Sequence, residues 1–235
     1  MPIDLANNLG SVVAAIGGLG TASFALVDVS KIGRNGGVSN SGFSFIEGAV
    51  RQLFPNASRK PVSVDQGAGH RLLNVLHGNW INGAPLGDQK AIAKSLVKLA
   101  LSAQTAENFA AATGVDSTTL SGAAASMTTG ASLTPEQTNV LGRFDLALTA
   151  ILDEGYQRAD QRYRNSAKVW ASIVAMALAI LGGWTIADTS ASYFWSPDMW
   201  KAGLCGLLAT PLAPISKDLT SALAAGVKVA QSLRK

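Results

Sequence analysis

The sequence predicts an all-α integral membrane protein with about three membrane helices and a helical cytoplasmic domain. Three observations carry that expectation. Residues 169–187 hold no charge, and an apolar run of about 18 residues or more is long enough to cross a bilayer. A second uncharged run, Ala202 to Ile215, follows a short acidic, aromatic turn, so the two read as a membrane hairpin. The bases are unevenly placed: Arg158, Arg162, Arg164 and Lys168 precede the hairpin and Lys217, Lys228, Arg234 and Lys235 follow it, while residues 188–199 carry Asp188 and Asp198 and no base. Lys and Arg gather on the cytoplasmic side of membrane proteins. The hairpin tip is therefore expected outside, and residues 31–168 and the C-terminus in the cytoplasm.

Residues 1–30 hold the first membrane element. Within segment Leu9–Val29 the apolar stretch runs from Leu9 to Val27 and is closed by Asp28, then Lys31 and Arg34, with no base before it. That order predicts a membrane helix with its N-terminus outside rather than a secretory signal, which begins with bases. Gly10, Ala14, Gly18 and Ala22 recur every four positions. Such stripes let membrane helices approach closely.

Residues 31–133 form the helical cytoplasmic domain. A Gly/Asn-rich linker opens it, without the spacing of a phosphate-binding loop. Apolar spacing at i, i+3, i+4 and i+7 then marks helices over Ser41–Phe54, Gly69–Trp80 and Asp88–Leu101, with Asp88 as a cap. Thr105–Thr113 and Asp116–Met127 are weaker, Ala/Ser/Thr-rich helices. Lys90, Lys94 and Lys98 make a one-sided stripe, read as a solvated face rather than a lipid contact.

Residues 134–168 are a long amphipathic helix leading into the membrane. Thr134-Pro135-Glu136-Gln137 is a capping box with proline at the first helical position. Leu141, Phe144, Leu148 and Ile151 follow at heptad-like spacing, Gly142 and Gly155 are soft points, and nothing before Ala187 obliges the helix to stop. Unbroken, it would be roughly 80 Å long at about 1.5 Å per residue.

Residues 169–216 are the hairpin. Ala171, Ala175, Ala179 and Gly183 again repeat every four residues. Trp170, Trp184, Trp195 and Trp200 crowd the hairpin with Tyr193 and Phe194, and Trp favours the head-group level. Lys168 and Lys217 are expected at the same interface. Pro211 and Pro214 remove backbone donors and predict a kink. Residues 217–235 read as a basic amphipathic tail.

Composition agrees. Of 235 residues 48% are hydrophobic and only 14% charged, with 24 glycines and a net charge of +4; soluble domains average about 25% charged. One cysteine, Cys205, excludes a disulfide within the chain. His70 and His77 lie two turns apart, too far to share a zinc ion. Asp153-Glu154 is the only adjacent acidic pair, no nucleophile elbow occurs, and no nucleic-acid motif accompanies the bases. No catalytic group, cofactor or metal ligand set is expected.

The layout resembles an uncharacterised group of bacterial inner-membrane proteins with an N-terminal membrane helix, a helical cytoplasmic domain and a C-terminal membrane hairpin. The matching pieces are Arg143-Phe144-Asp145, then Tyr156, Arg158, Arg162, Tyr163 and Arg164, and the closing stretch from Leu207 to Leu219. The chain departs from the group at Ile215, Ser216 and Lys217, where aromatic residues are expected. The resemblance implies topology and location in a bacterial inner membrane, and no activity. The expected role is a non-enzymatic, self-associating scaffold or membrane-assembly component. Its partners would be the lipid bilayer, copies of itself and a protein bound through the cytoplasmic domain, without nucleic acid. The alternative is a pore-forming or channel-like effector gated by that domain, permitted by the hydroxyls Ser11, Thr21, Ser23, Ser172, Thr185 and Thr210.

Overall fold

The structure is a computed structural model. It describes the backbone of residues 5–33, 36–57, 59, 67–187 and 190–232, and the side chains of 11–29, 36–57, 59, 67–187 and 192–214. Among these residues every regular element is helical and there is no strand. The elements are α1 (Leu5–Gly33), α2 (Asn40–Leu53), α3 (Ala68–Ile81), α4 (Leu86–Leu99), α5 (Ala106–Thr113), α6 (Ser117–Thr129), α7 (Pro135–Ile186), α8 (Ser190–Tyr193) and α9 (Pro197–Ser232). The chain is all-α, as the apolar spacing predicts.

Two compact units divide it: a central unit of residues 39–163, and a terminal unit of residues 1–38 and 164–235. The long helix α7 therefore contributes its first part to one unit and its second to the other, a grouping different from the five sequence segments.

The central unit packs α2 to α6 around the first half of α7. Phe43, Ile46, Val50 and Leu53 of α2, Leu72, Leu73 and Leu76 of α3, Phe109 of α5, and Phe144, Leu148, Leu152 and Tyr156 of α7 share one buried core. Phe109 stacks on Phe144, with ring centroids 5.8 Å apart, and meets Phe54 edge-on at 5.1 Å. Such ring pairs add to the area they bury. Gly155 is more than a soft point: a Cβ there would lie 2.8 Å from the Ala49 Cβ. Gly42 does the same from α2, backing onto the carbonyl of Ala159. Two glycines, one on each helix, thus bring α2 and α7 to backbone contact.

The helix ends follow local chemistry. The capping box is formed in full: the Thr134 amide donates to Gln137 Oε1 at 3.0 Å, and the Gln137 amide donates to Thr134 Oγ1 at 3.2 Å. Asp116 caps α6 through the Thr119 amide at 2.7 Å. Gly114 and Gly130 end α5 and α6 with φ of 70° and 73°, the left-handed conformation glycine adopts without a Cβ penalty. Asp88 is not a cap. The helix begins two residues earlier at Leu86, with Pro85 before it, and Asp88 lies in its first turn, where a carboxylate meets the positive end of the helix dipole.

In the terminal unit α1, α9 and the second half of α7 are long helices. Two helices of the described chain are long and apolar enough to cross a membrane: α1 over Ser11–Val29, and α7. The second hairpin arm is not among them. α9 instead runs on through Pro211 and Pro214 to Ser232, so the tail expected at 217–235 continues the same helix as far as residue 232.

Candidate functional site

The feature that distinguishes this chain is the surface of the terminal unit, and glycines build it. A Cβ on Gly206 would lie 2.6 Å from both the Ala175 carbonyl oxygen and the Met176 Cα. α9 and α7 therefore touch backbone to backbone. Three residues earlier, Gly203 faces Met176 Cγ and Ile180 Cδ1, each 3.7 Å from a Cβ position. Ala171 and Ala175 are wholly buried, Ala179 and Gly183 partly so. On another face of α9, Gly20 of α1 backs onto the Ala209 carbonyl, with the Ala213 Cβ at 2.8 Å from a Cβ position.

The α1 stripe is placed differently. Ala14, Gly18 and Ala22 are exposed, and nothing lies within 4 Å of a Cβ on Gly18. The packed face holds Gly17, Gly20, Ser23 and Val27 instead. Neighbouring residues on a helix point about 100° apart, so contact through Gly17 and Gly20 turns the Gly18 row away from α9. Four-residue spacing reveals a small-residue row but not its partner. Gly10 and Lys217 lie outside the residues whose side chains are described.

With small residues turned inward, the large ones face out. Val169, Trp170, Ile173, Leu181, Trp184 and Ile186 of α7 are exposed, as are Leu204, Leu207 and Leu208 of α9 and Val12, Leu26 and Val29 of α1. Cys205 shares the exposed face of α9. Only 11% of the most apolar window of α7 and 22% of that of α1 is buried inside the chain. The hydroxyls turn back onto their own helices: Thr21 donates to the Gly17 carbonyl at 2.9 Å, Ser23 to Leu19 at 2.8 Å, Ser172 to Lys168 at 3.0 Å and Thr185 to Gly182 at 2.8 Å. The Thr210 hydroxyl is buried without a hydrogen-bond partner.

At the tip, Tyr193 is buried, its hydroxyl directed at the space beside Gly183. Trp184 and Phe194 lie 5.9 Å apart, centroid to centroid. Trp195 is 92% exposed and Trp200 is 70% exposed. Lys168, beside Trp170, is exposed as well.

The polar groups of the central unit serve its packing. The lysine stripe is not a free solvated face. Lys90 Nζ pairs with Asp153 Oδ1 at 2.7 Å, Lys94 with Asp145 Oδ2 at 2.7 Å, and Lys98 with Asp145 Oδ1. Successive turns of α4 are thereby tied to α7, a relation that one-sided spacing on α4 alone does not disclose. The two lysines hold the Asp145 carboxyl below the usual carboxylate range, against a smaller opposing effect of burial. An open groove of about 290 Å³ beside this ladder is lined by Lys90, Ala91, Lys94, Thr149, Leu152 and Asp153. Both of its amines are held by carboxylates.

The histidines stand apart. His70 Nε2 accepts from Asn74 Nδ2 at 2.9 Å, whereas His77 Nε2 lies 2.9 Å from Asn40 Oδ1 with the Phe43 ring edge-on at 4.8 Å. Burial, and secondarily the Arg59 charge, lower the His77 pKa. Among the described residues no group of three His, Cys, Asp or Glu side chains is placed to hold a metal ion. No protein-family model, curated protein or solved structure matches the chain.

Proposed function

We propose that the chain is an integral protein of a bacterial inner membrane, with its central unit in the cytoplasm, and that it acts as a non-enzymatic, self-associating scaffold or membrane-assembly component. The outward apolar surface of α1, α7 and α9 carries this reading. A core helix of a soluble protein buries its apolar window; the window of α7 is 11% buried. Large contiguous apolar surfaces mark membrane or protein contacts, and exposed Trp at the tip suits the head-group layer. Helical backbone and the back-bonded hydroxyls of Thr21, Ser23, Ser172 and Thr185 suit the demand that polar groups in lipid be paired internally. The bilayer is one partner, further copies of the chain the second, and a protein bound to the central unit the third. No nucleic acid is involved.

Membrane pellets extracted with alkaline carbonate test insertion: the protein stays in the pellet, and release into the supernatant defeats the proposal. Thiol labelling in a Cys205→Ser background tests orientation. A cysteine at residue 192 labels from outside in intact cells and one at residue 100 does not. The mass of the detergent-purified particle tests self-association, with a monomer as the contrary result. Ion flux in liposomes would turn the reading toward the channel-like alternative.

A further inference from the structure

We infer that the Trp80 indole is a clasp fastening together the two places where the chain leaves the central unit. The chain passes between its compact units twice, after Val38 and after Tyr163. The residue on the central side of each passage, Ser39 at one and Tyr163 at the other, contacts Trp80. Its Nε1–H donates to the carbonyl of Ser39 at 2.9 Å, a buried bond. The Tyr163 ring stands edge-on to the indole, centroids 6.2 Å apart and planes at 79°. Gly42 makes room for both approaches: a Cβ there would meet Trp80 Cζ2 at 2.9 Å and the carbonyl of Ala159, one turn before Tyr163. The start of α2, the end of α3 and the middle of α7 therefore meet on one side chain.

The coupling follows from burial. Trp80 is 7% exposed, so an indole N–H freed from Ser39 has little access to water, and a buried unpaired donor is costly. Loosening Tyr163 uncovers the indole edge and relaxes the fit that aims the N–H at Ser39. Loosening Ser39 frees the indole to tilt away from Tyr163. Proteins open locally in cooperative units; here the two exits form one such unit with Trp80 as its shared member.

Amide hydrogen exchange on the purified full chain tests this, followed in peptides covering residues 43–50, 156–163 and, as a control, 117–126. Trp80→Phe removes the N–H and keeps a ring. Tyr163→Leu removes the edge contact and keeps an apolar helix former. Each variant is expected to speed exchange in both exit peptides by about tenfold, the scale of one lost buried hydrogen bond, and to leave the control unchanged. Acceleration confined to 156–163 in Tyr163→Leu would show that the exits open independently. Equal acceleration in the control would reduce Trp80 to an ordinary core residue. Should Trp80→Phe not fold, Tyr163→Leu decides alone, since Tyr163 is only partly buried.

Discussion

Asp145 of α7 holds Lys94 of α4 at 2.7 Å and takes Lys98 on its other oxygen. Its neighbour Phe144, about 100° round the helix, points into the core against Phe109. Adjacent residues thus join α7 to the domain by two mechanisms, one apolar and one ionic.

Asp145→Asn should cost only about 1 kcal/mol or less, because ion pairs this open to solvent are weak. Phe144→Ala should cost about 3–5 kcal/mol, the range for emptying a buried aromatic site. Urea unfolding of both variants checks the ranking. Equal losses would mean that the ladder contributes as much as the core.

Acid should expose the Asp145 contribution. Its folded pKa lies below the ordinary 3.8, so the stabilisation is complete above that value and is lost as pH falls through the lower, folded one. His77 acts nearer neutrality. Its folded pKa is below the ordinary 6.5, so the unfolded chain takes up protons first and stability declines as pH drops from about 6.5 toward the folded value. Melting temperatures across pH should show both declines. Asp145→Asn should flatten the acid one, and His77→Gln the one beginning near 6.5.

Tyr156→Phe should stabilise the central unit or leave it unchanged. The Tyr156 hydroxyl is buried without a hydrogen-bond partner, and burial pushes its pKa up. Removing an unpaired buried hydroxyl recovers up to about 1–3 kcal/mol of desolvation cost. A clear drop in melting temperature would count against this account.

Two glycine pairs separate packing from composition. Gly155→Ala should destabilise the central unit, since its Cβ meets Ala49, whereas Gly142→Ala, with nothing near, should stabilise α7 by about 1 kcal/mol through helix propensity. Gly20→Leu should part α1 from α9. Gly18→Leu should leave the chain's own packing intact, so a smaller detergent particle in that variant alone would identify the Gly18 face as a contact between copies.

How far the sequence could be read depends on the range of the interaction. Helix existence, the Thr134–Gln137 box and the unbroken run from Pro135 to Ile186 rest on neighbours within a few residues and were legible. The packed face of α1 was not, because Gly18 and Gly20 are equally small and only their distance from Ala209 distinguishes them. The lysine ladder was half legible: the stripe is in α4, but the aspartates that complete it lie far along the chain. Gly42 and Gly155 gave no signal alone, since each has meaning only opposite the other helix. The outward apolar surface was legible as composition, though which residues face out emerges only from the packing of α7 on α9.

The inward glycines and the outward aliphatics impose unequal constraints on substitution. At Ile173, Leu181 or Leu204, each about half or more exposed, one apolar side chain can replace another with little disturbance within the chain, so those positions can drift among Leu, Ile, Val and Phe. Gly20 and Gly206 have no such latitude, because any side chain would strike a backbone. A library of random variants selected for a folded terminal unit should therefore keep Gly20 and Gly206 fixed while the unit's largest exposed residues vary.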